Sequence, residues 1–316
     1  MNTHNIILGD CIEGMKTLSD KCVQTCITSP PYFGLRSYDG GDAEIGQEDT
    51  VEGYVQKMTE VFREVRRILR DDGTLWLNLG DSYMSAKNCA PPPQTVANGN
   101  ARGMPTDFIP ANRKDQDGLK TKDLIGIPWR VALALQADGW YLRQDIIWSK
   151  PNPMPESVAD RCTKSHEYIF LLSKKSHYYY DHEAVKEPAR NWGTRDRTEM
   201  RDGTTDPKLK HHGLQGKEWE ENPLKNKRSV WTVNAKGYKG AHFAVYPEEL
   251  VTPCVLAGCP QDGTVFDPFT GSGTTAVVAL KNGRNYIGTE LNPEYIKIAE
   301  ARIKESVPQT LEEIFE

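Results

Sequence analysis

Apolar positions along this chain fall into two kinds of run, short continuous ones and ones of helical period, and the two kinds take turns. Asn5-Ile6-Ile7-Leu8, stopped by Gly9-Asp10, predicts a short buried strand, and Cys22 to Thr28 predicts a second. Val55, Met58, Phe62, Val65 and Leu69 then recur at helical spacing, with Thr50 placed as N-cap and Asp71-Asp72-Gly73 as the stop. Thr74 to Leu79 reads as a strand. Pro128 opens a helix through Ala137, with Gly139 as its stop, and Leu142 to Trp148 and Tyr168 to Leu172 follow as strands. Further on, Pro247 to Ala257 predicts a helix, Thr264 to Phe266 a strand, Thr274 to Leu280 a helix and Asn285 to Thr289 a strand. Asn292-Pro293 caps the last helix. Strands alternating with helices of this length predict an α/β fold with a doubly wound, mostly parallel sheet and helices on both faces.

Two stretches break the rhythm. Residues 85–122 carry Pro91-Pro92-Pro93 and almost no apolar periodicity, and residues 183–240 are polar, with Trp192, Trp219 and Trp231 set among charges. Loops of this length inside a domain are usually functional or mobile. The chain therefore divides into 1–182, an insertion over 183–240, and 241–316 belonging to the same domain as the first part.

Charge sharpens the role of the insertion. The whole chain has 39 Lys+Arg against 44 Asp+Glu, a net charge of -5, so any nucleic-acid surface is a local patch and not a global field. From Lys186 to Gly240 the balance reverses to 13 basic against 8 acidic side chains. No apolar run approaches the roughly 18 residues of a membrane span, and Met1-Asn2-Thr3-His4 lacks the basic-then-apolar layout of a signal peptide. A cytoplasmic location is expected. The seven cysteines are scattered, and neither Cys22 with Cys26 nor Cys254 with Cys259 has zinc-knuckle spacing, so reduced thiols and no metal are expected.

Two turns carry chemistry. Phe266-Asp267-Pro268-Phe269-Thr270-Gly271-Ser272-Gly273-Thr274-Thr275 leaves a strand and opens a helix, and Glu290 ends the next strand 19 residues after Gly271. Gly271 and Gly273 allow close backbone approach to a ligand, and Glu290 can accept hydrogen bonds from a ribose diol. A nicotinamide dinucleotide is the first rival. Asp267 argues against it, because a carboxylate at the strand end repels a pyrophosphate and suits a cationic sulfonium, as in S-adenosylmethionine.

The second turn is Thr28-Ser29-Pro30-Pro31-Tyr32. Pro30 and Pro31 lack N–H groups, so the turn is rigid and offers acceptors. Ser29 Oγ and the Pro30 carbonyl can both accept from an exocyclic NH2, turning its nitrogen lone pair toward an incoming methyl. Tyr32 offers a ring to stack on a planar heterocycle.

These motifs together resemble the amino-methylating DNA methyltransferases, over most of the chain from Gly9-Asp10 to the final helix. Asp267-Pro268-Phe269-Thr270-Gly271-Ser272-Gly273 is similar to their cofactor motif and Thr28-Ser29-Pro30-Pro31-Tyr32 to their catalytic motif. The order, catalytic motif first, resembles the circularly permuted β-class. The resemblance implies an S-adenosylmethionine-dependent, Rossmann-like sheet with an inserted target-recognition segment, double-stranded DNA as partner, and base flipping before direct attack by the amine. It places Asp10 at the adenine end of the cofactor and Glu290 at its ribose, with Cys11 and Asn292 among the cofactor-binding residues. Phe269, Ser272, Thr274 and Thr275 join the cofactor contacts through the motif. It leaves room for a cognate restriction endonuclease and a homodimer. Ser at position 29, where the family's N6-adenine members mainly carry Asp, favours N4 of cytosine, with N6 of adenine the alternative. An inactive DNA-binding module and an RNA or small-molecule amine methyltransferase fit less well.

Other candidates rank lower. Pro253-Cys254 resembles the nucleophile dipeptide of C5-cytosine methyltransferases but lies in an expected helix with no turn to present it. His166-Glu167 ahead of a strand can form an acid–base pair, but an amine attack needs no strong base, and His166 is assigned a structural or substrate-edge role. Tyr178-Tyr179-Tyr180 can stack on bases but reads more readily as packing. Lys225, Lys227 and Arg228 are expected to meet DNA phosphates.

Overall fold

The computed structural model describes residues 2–34, 44–84, 118–189, 224–235 and 246–306. Most of the expected loop over 85–122 and of the insertion over 183–240, with Trp192 and Trp219, lies outside them. In chain order the elements begin with β1 (His4–Leu8), α1 (Cys11–Lys16), β2 (Val23–Thr28), α2 (Val51–Ile68) and β3 (Leu69–Leu79). There follow α3 (Ile127–Ala137), β4 (Tyr141–Ser149), β5 (His166–Ser173), β6 (Glu187–Pro188), β7 (Leu224–Lys225) and β8 (Val230–Thr232). The last are α4 (Glu248–Gly258), β9 (Thr264–Asp267), α5 (Thr274–Lys281), β10 (Asn285–Glu290) and α6 (Pro293–Ser306).

Eight of these strands form one sheet in the order β1-β10-β9-β2-β3-β5-β4-β8, and β6 pairs with β7 apart from it. All neighbours in the sheet run parallel except where β5 lies between β3 and β4, antiparallel to both. Among the described residues β5 is therefore the one inverted strand of this sheet. The expectation of a doubly wound α/β sheet holds, with an eighth strand that comes from the polar insertion: Val230 and Trp231 pair with Ile147 and Trp148 of β4.

Alternation along the strands divides the core between two faces. Leu75, Leu77, Leu79, Phe170, Leu172 and Phe266 face α1, α2 and α3, where Met15, Met58, Phe62, Val65, Val131 and Leu135 meet them. Their neighbours Trp76, Ile169, Leu171 and Val265 face α4, α5 and α6, against Val251, Val255, Val277 and Ile303. Burying each such side chain contributes about 1.5–3 kcal/mol relative to exposure, so both faces are held by the same period-two pattern.

Several boundaries differ from the sequence reading. α1 has no counterpart in it, because six residues are too few to show a period; it forms because the Asp10 side chain accepts from the Ile12 and Glu13 N–H groups at its start. Asp71-Asp72-Gly73 does not stop α2, which ends at Ile68. It forms an irregularity inside β3, where the pairing with β2 jumps from Val23–Leu69 to Thr25–Thr74. Asp71 there draws in Lys21, Lys174 and Lys175, and hydrogen bonds from Lys21 and Lys175 hold its carboxyl down at about 2. β5 starts two residues early, so His166 and Glu167 belong to the strand. Thr50 does cap α2, accepting from the Gly53 N–H, and the Asn292 side chain accepts from the Glu294 N–H at the start of α6. Among the described residues no helix is long and apolar enough to cross a membrane.

The start of α3 has an unusual cap. Its N-cap residue is Gly126, in the left-handed region with φ 79°, which has no side chain to bond the exposed N–H groups. Asp81, just past the end of β3, supplies the acceptor from outside, taking the Gly126 and Ile127 N–H groups at 3.0 and 3.1 Å. Asp81→Ala is expected to lower stability by about 1–2 kcal/mol, the range for losing a helix cap, as read by chemical denaturation; an unchanged midpoint would show that the cap contributes nothing.

Candidate active site

Parallel strands put their carboxyl ends on one edge, and inversion of β5 adds its amino end to the same edge. Gly9-Asp10 after β1, Glu290 of β10, Asp267 of β9, Ser29 after β2, Gly80-Asp81 after β3, Lys150 after β4 and His166-Glu167 of β5 thus line one side of the sheet. Ligands of open α/β sheets bind at this edge. Both turns singled out in the sequence lie there.

The glycine turn is built for backbone exposure. Gly271 and Gly273 have φ of 51° and 80°, and a side chain on Gly271 would meet only the Phe269 carbonyl oxygen, at 3.9 Å, so that face of the turn is open. Gly9, φ 133°, likewise has nothing within 4 Å of where a side chain would point. Gly273 is closed from behind, because a Cβ there would sit 2.8 Å from Ala299 of α6. Gly273 is also the N-cap of α5 and provides no side-chain acceptor, so α5 begins with N–H groups that can meet an anion. From behind, the buried Arg302 guanidinium donates to the Ser272 carbonyl at 2.8 Å, to Ser272 Oγ at 2.9 Å and to Thr274 Oγ1 at 3.0 Å. Ser272 and Thr274 therefore brace the turn through α6.

Glu290 shapes the turn from β10. Its two carboxylate oxygens accept from the Gly271 N–H at 2.8 Å and the Asn292 N–H at 2.9 Å. Burial raises its pKa above the ordinary glutamate value, while these backbone donors pull it down. Asn292 turns its own side chain to α6, and Phe269 is half-buried against the core on the face that carries α1, α2 and α3. Asp10 and Cys11 follow the next strand over, β1, as the cap and first residue of α1, with Cys11 buried and its thiol pushed up to about 12 by desolvation.

Asp267 has a different place from the one its sequence position suggests. It is 1% exposed, and four donors surround it. Thr28 Oγ1 at 2.7 Å and the Phe269 N–H at 3.0 Å donate to one oxygen; Thr275 Oγ1 at 2.8 Å and the Tyr246 hydroxyl at 3.2 Å donate to the other. Burial raises its pKa, and the four hydrogen bonds lower it. The carboxylate thus presents no face to a ligand. Its charge reaches the turn as a field, and its bonds fasten the glycine turn to Thr28, the residue before Ser29.

The Ser29-Pro30-Pro31-Tyr32 turn follows. The Pro31 carbonyl is taken by the Tyr54 hydroxyl at 2.9 Å, whereas no donor among the described residues bonds the Pro30 carbonyl. Ser29 Oγ donates to the Tyr32 hydroxyl at 3.5 Å and keeps its lone pairs. The Tyr32 hydroxyl in turn donates to Glu167 at 2.8 Å and reaches Asn78 Oδ1 at 3.3 Å. The Tyr32 ring lies against Gly80, where any Cβ would overlap its Cε2. Lys150 forms an ion pair with Glu167, and its Nζ sits 4.1 Å from the centre of the Trp148 ring.

Glu167, Asn78, Lys150 and Gly80 are site residues that the sequence reading did not assign. Asn78 had a signal, as the one amide in the apolar run Leu75-Trp76-Leu77-Asn78-Leu79, and it is 5% exposed. Glu167 had a weaker one, beside His166, whose ring instead packs edge-on to Tyr168 at 5.4 Å. Tyr178-Tyr179-Tyr180 follow β5 at the opposite edge, where Tyr180 stacks on Trp76 and the Tyr179 N–H donates to the Asp72 carbonyl. Cys254 is buried in α4 with its thiol directed to the Leu250 carbonyl, and burial pushes its pKa up, which disfavours the thiolate. Lys225 and Arg228 both pair with Glu187, at 3.4 and 2.5 Å, and Lys227 lies over the Trp231 ring. Asp267→Ala leaves four donors facing a cavity; a stability loss of about 3 kcal/mol or more is expected, read by urea denaturation. A loss under about 1 kcal/mol would mean that the donors find other partners.

Comparison with known proteins agrees with the geometry. The family model described as DNA methylase matches residues 23–301. The chain is 47% identical over 298 residues to the Type II methyltransferase M.SmaI of Serratia marcescens, covering 94% of this chain and 90% of that one. It is 43% identical to the Type II methyltransferase M.Cfr9I of Citrobacter freundii, covering 96% and 89%. Among solved structures, the PvuII DNA methyltransferase, described as cytosine-N4-specific, superposes with a TM-score of 0.64 at 18% identity, over 100% of this chain and 91% of that one. A Thermus thermophilus protein solved in complex with S-adenosyl-L-methionine gives 0.59 at 22% identity, over 97% and 95%. The fold is thus that of these methyltransferases, and the chain belongs to the N6/N4 DNA methylase family.

Proposed function

We propose that the protein is the modification methyltransferase of a Type II system, transferring a methyl group from S-adenosylmethionine to N4 of cytosine in a specific double-stranded DNA site. The observation that carries the reading is the Thr28–Asp267 hydrogen bond, 2.7 Å, which joins the amine-accepting turn to the cofactor turn. The order of these turns along the chain supports the permuted β-class layout, and the similarity to Type II methyltransferases supports a restriction–modification setting with a cognate endonuclease.

The residues present fit S-adenosylmethionine. Glu290 suits the ribose diol, the open backbone of Gly271 and Gly9 allows close approach, and the uncapped start of α5 suits the carboxylate of the methionine portion. Leu8, the last residue of the neighbouring strand β1, pairs with Glu290, and Asp10 just beyond it is assigned to the adenine end, with Cys11 next to it at the start of α1. Bound there, the cofactor supplies a methyl group on a positively charged sulfur. The rest is done by the chain. Ser29 Oγ and the Pro30 carbonyl accept the two hydrogens of the exocyclic amine, leaving the nitrogen lone pair directed at the methyl and facing the positive charge that grows on nitrogen. Tyr32 stacks on the flipped ring and offsets part of the few kcal/mol needed to unstack it. Methyl transfer to the amine nitrogen would leave the cofactor as a neutral thioether that retains the electron pair of the broken S–C bond, and the methylated amine would release its proton to water.

Ser29 favours cytosine, and N6 of adenine is the second reading. Lys225, Lys227 and Arg228 are assigned to phosphates; Arg228 has a side chain 70% exposed, while Glu187 offsets one of the three charges. Single-molecule sequencing of DNA from cells expressing the protein is expected to show N4-methylcytosine at one recognition sequence. N6-methyladenine at one site would replace the cytosine reading, and unmodified DNA would sink the function.

Glu290 gives a pH prediction. Its folded pKa lies above the ordinary value of 4.5, so protonation begins at a higher pH than for a free glutamate. A protonated carboxyl is a weaker acceptor for a ribose diol, and cofactor affinity should fall as the solution is acidified through that raised pKa. Calorimetric titrations across pH should show this decline, and Glu290→Gln should bind more weakly at neutral pH with a flatter profile. An identical decline in the variant would assign the titration elsewhere.

A further inference from the structure

We propose that Glu167 is a positioning residue for methyl transfer, fixing the plane of the Tyr32 ring on which the target base stacks. The proposal rests on the reading of the site as amine-methylating, and it assigns a role to a carboxylate that neither motif contains.

A stacking ring is useful only if its plane is set before the base arrives. The backbone at Tyr32 is already held, with Pro30 and Pro31 before it and the Tyr54 hydroxyl bonded to the Pro31 carbonyl. Two side-chain torsions remain. Gly80 opens a slot for the ring: with any side chain there, a Cβ would overlap Cε2 and lie 3.0 Å from Cδ2 of Tyr32. A slot limits the ring to one plane, and an anchor at its tip removes the remaining freedom. Glu167 is that anchor, accepting from the hydroxyl at 2.8 Å, against 3.3 Å for Asn78 and 3.5 Å for Ser29.

Each partner has a second attachment. Asn78 donates to the Tyr168 carbonyl at 3.0 Å and to Glu167 at 3.2 Å. The other oxygen of Glu167 pairs with Lys150, and both side chains of that pair are less than one-fifth exposed. Four strands thus contribute one member each: Tyr32 after β2, Asn78 in β3, Lys150 after β4 and Glu167 in β5. A carboxylate already ionised and paired is a stronger acceptor than a neutral group, and water would compete at this half-buried position with anything weaker. The ion pair alone would need no tyrosine. The short bond to Tyr32 is what links it to the reaction.

If Glu167 acts through the Tyr32 hydroxyl, removing either group should remove the same contribution. The test is a double-mutant cycle of Tyr32→Phe and Glu167→Ala, assayed by methyl transfer to unmethylated plasmid carrying the mapped site. Each single change is expected to lower kcat about 10- to 100-fold, the scale of a misplaced reacting group, with KM and calorimetric affinity for S-adenosylmethionine unchanged. The double variant should fall no further than the worse single one. Losses that multiply, or a Glu167→Ala variant with wild-type kcat, overturn the proposal. Should Glu167→Ala fail to fold because Lys150 is left unpaired, the same cycle with Glu167→Gln decides. The amide of that variant keeps an oxygen for the hydroxyl, so a smaller loss, again not additive with Tyr32→Phe, supports the role, and an additive loss refutes it. Wild-type turnover is the control for the function itself: an inactive wild type refutes the methyltransferase reading, whereas an active wild type with additive losses refutes only the positioning.

Discussion

A single buried carboxylate organises this protein. Asp267 ends one strand and accepts from the end of the neighbouring strand, from its own turn, from the helix that follows and from the Tyr246 hydroxyl. Burying an unpaired charge costs far more than one such bond returns, so the carboxylate is tolerable only while all four donors stay in place. That condition couples parts of the chain 239 residues apart, the Ser29-Pro30-Pro31-Tyr32 turn and the Gly271-Ser272-Gly273 turn. Any relative movement of the two would first have to break a satisfied buried charge.

The same edge holds a second polar group, centred on Glu167, and the two differ in exposure. Asp267 is sealed and sets distance. The Glu167 group is half-buried, reaches the reacting side through Tyr32, and includes an ion pair whose members come from adjacent strands. Buried ion pairs are weak sources of stability once desolvation is counted, so its value lies in orientation.

The fold is largely legible in the sequence because its strands are buried on both faces and its helices are amphipathic. Val55 to Val65 spells out α2, and the turn Gly271-Ser272-Gly273 is marked by residues that only a left-handed backbone and a close helix would require. What sequence does not show is pairing in space. Asp267 reads as a ligand-facing charge because chain position tells which strand end a residue occupies, but not which way its side chain turns. The tie of Glu167 to Tyr32 escapes notice because inversion of β5 brings the start of that strand to the edge where the others finish, a fact visible only in the sheet order. α1 is too short to announce itself, and the irregularity at Asp71 looks like a helix stop because Asp-Asp-Gly suits both.

Arg302 has a consequence for how the enzyme comes into being. The guanidinium that braces Ser272 and Thr274 sits in the last helix, and β9 must join β2 from the other end of the sequence. Contacts this distant in the chain close late in folding. During synthesis the Ser29-Pro30-Pro31-Tyr32 turn emerges early, and the Gly271-Ser272-Gly273 turn and its Arg302 brace follow only near the end of the chain. A chain that lacks α6 therefore lacks the brace behind the Gly271-Ser272-Gly273 turn.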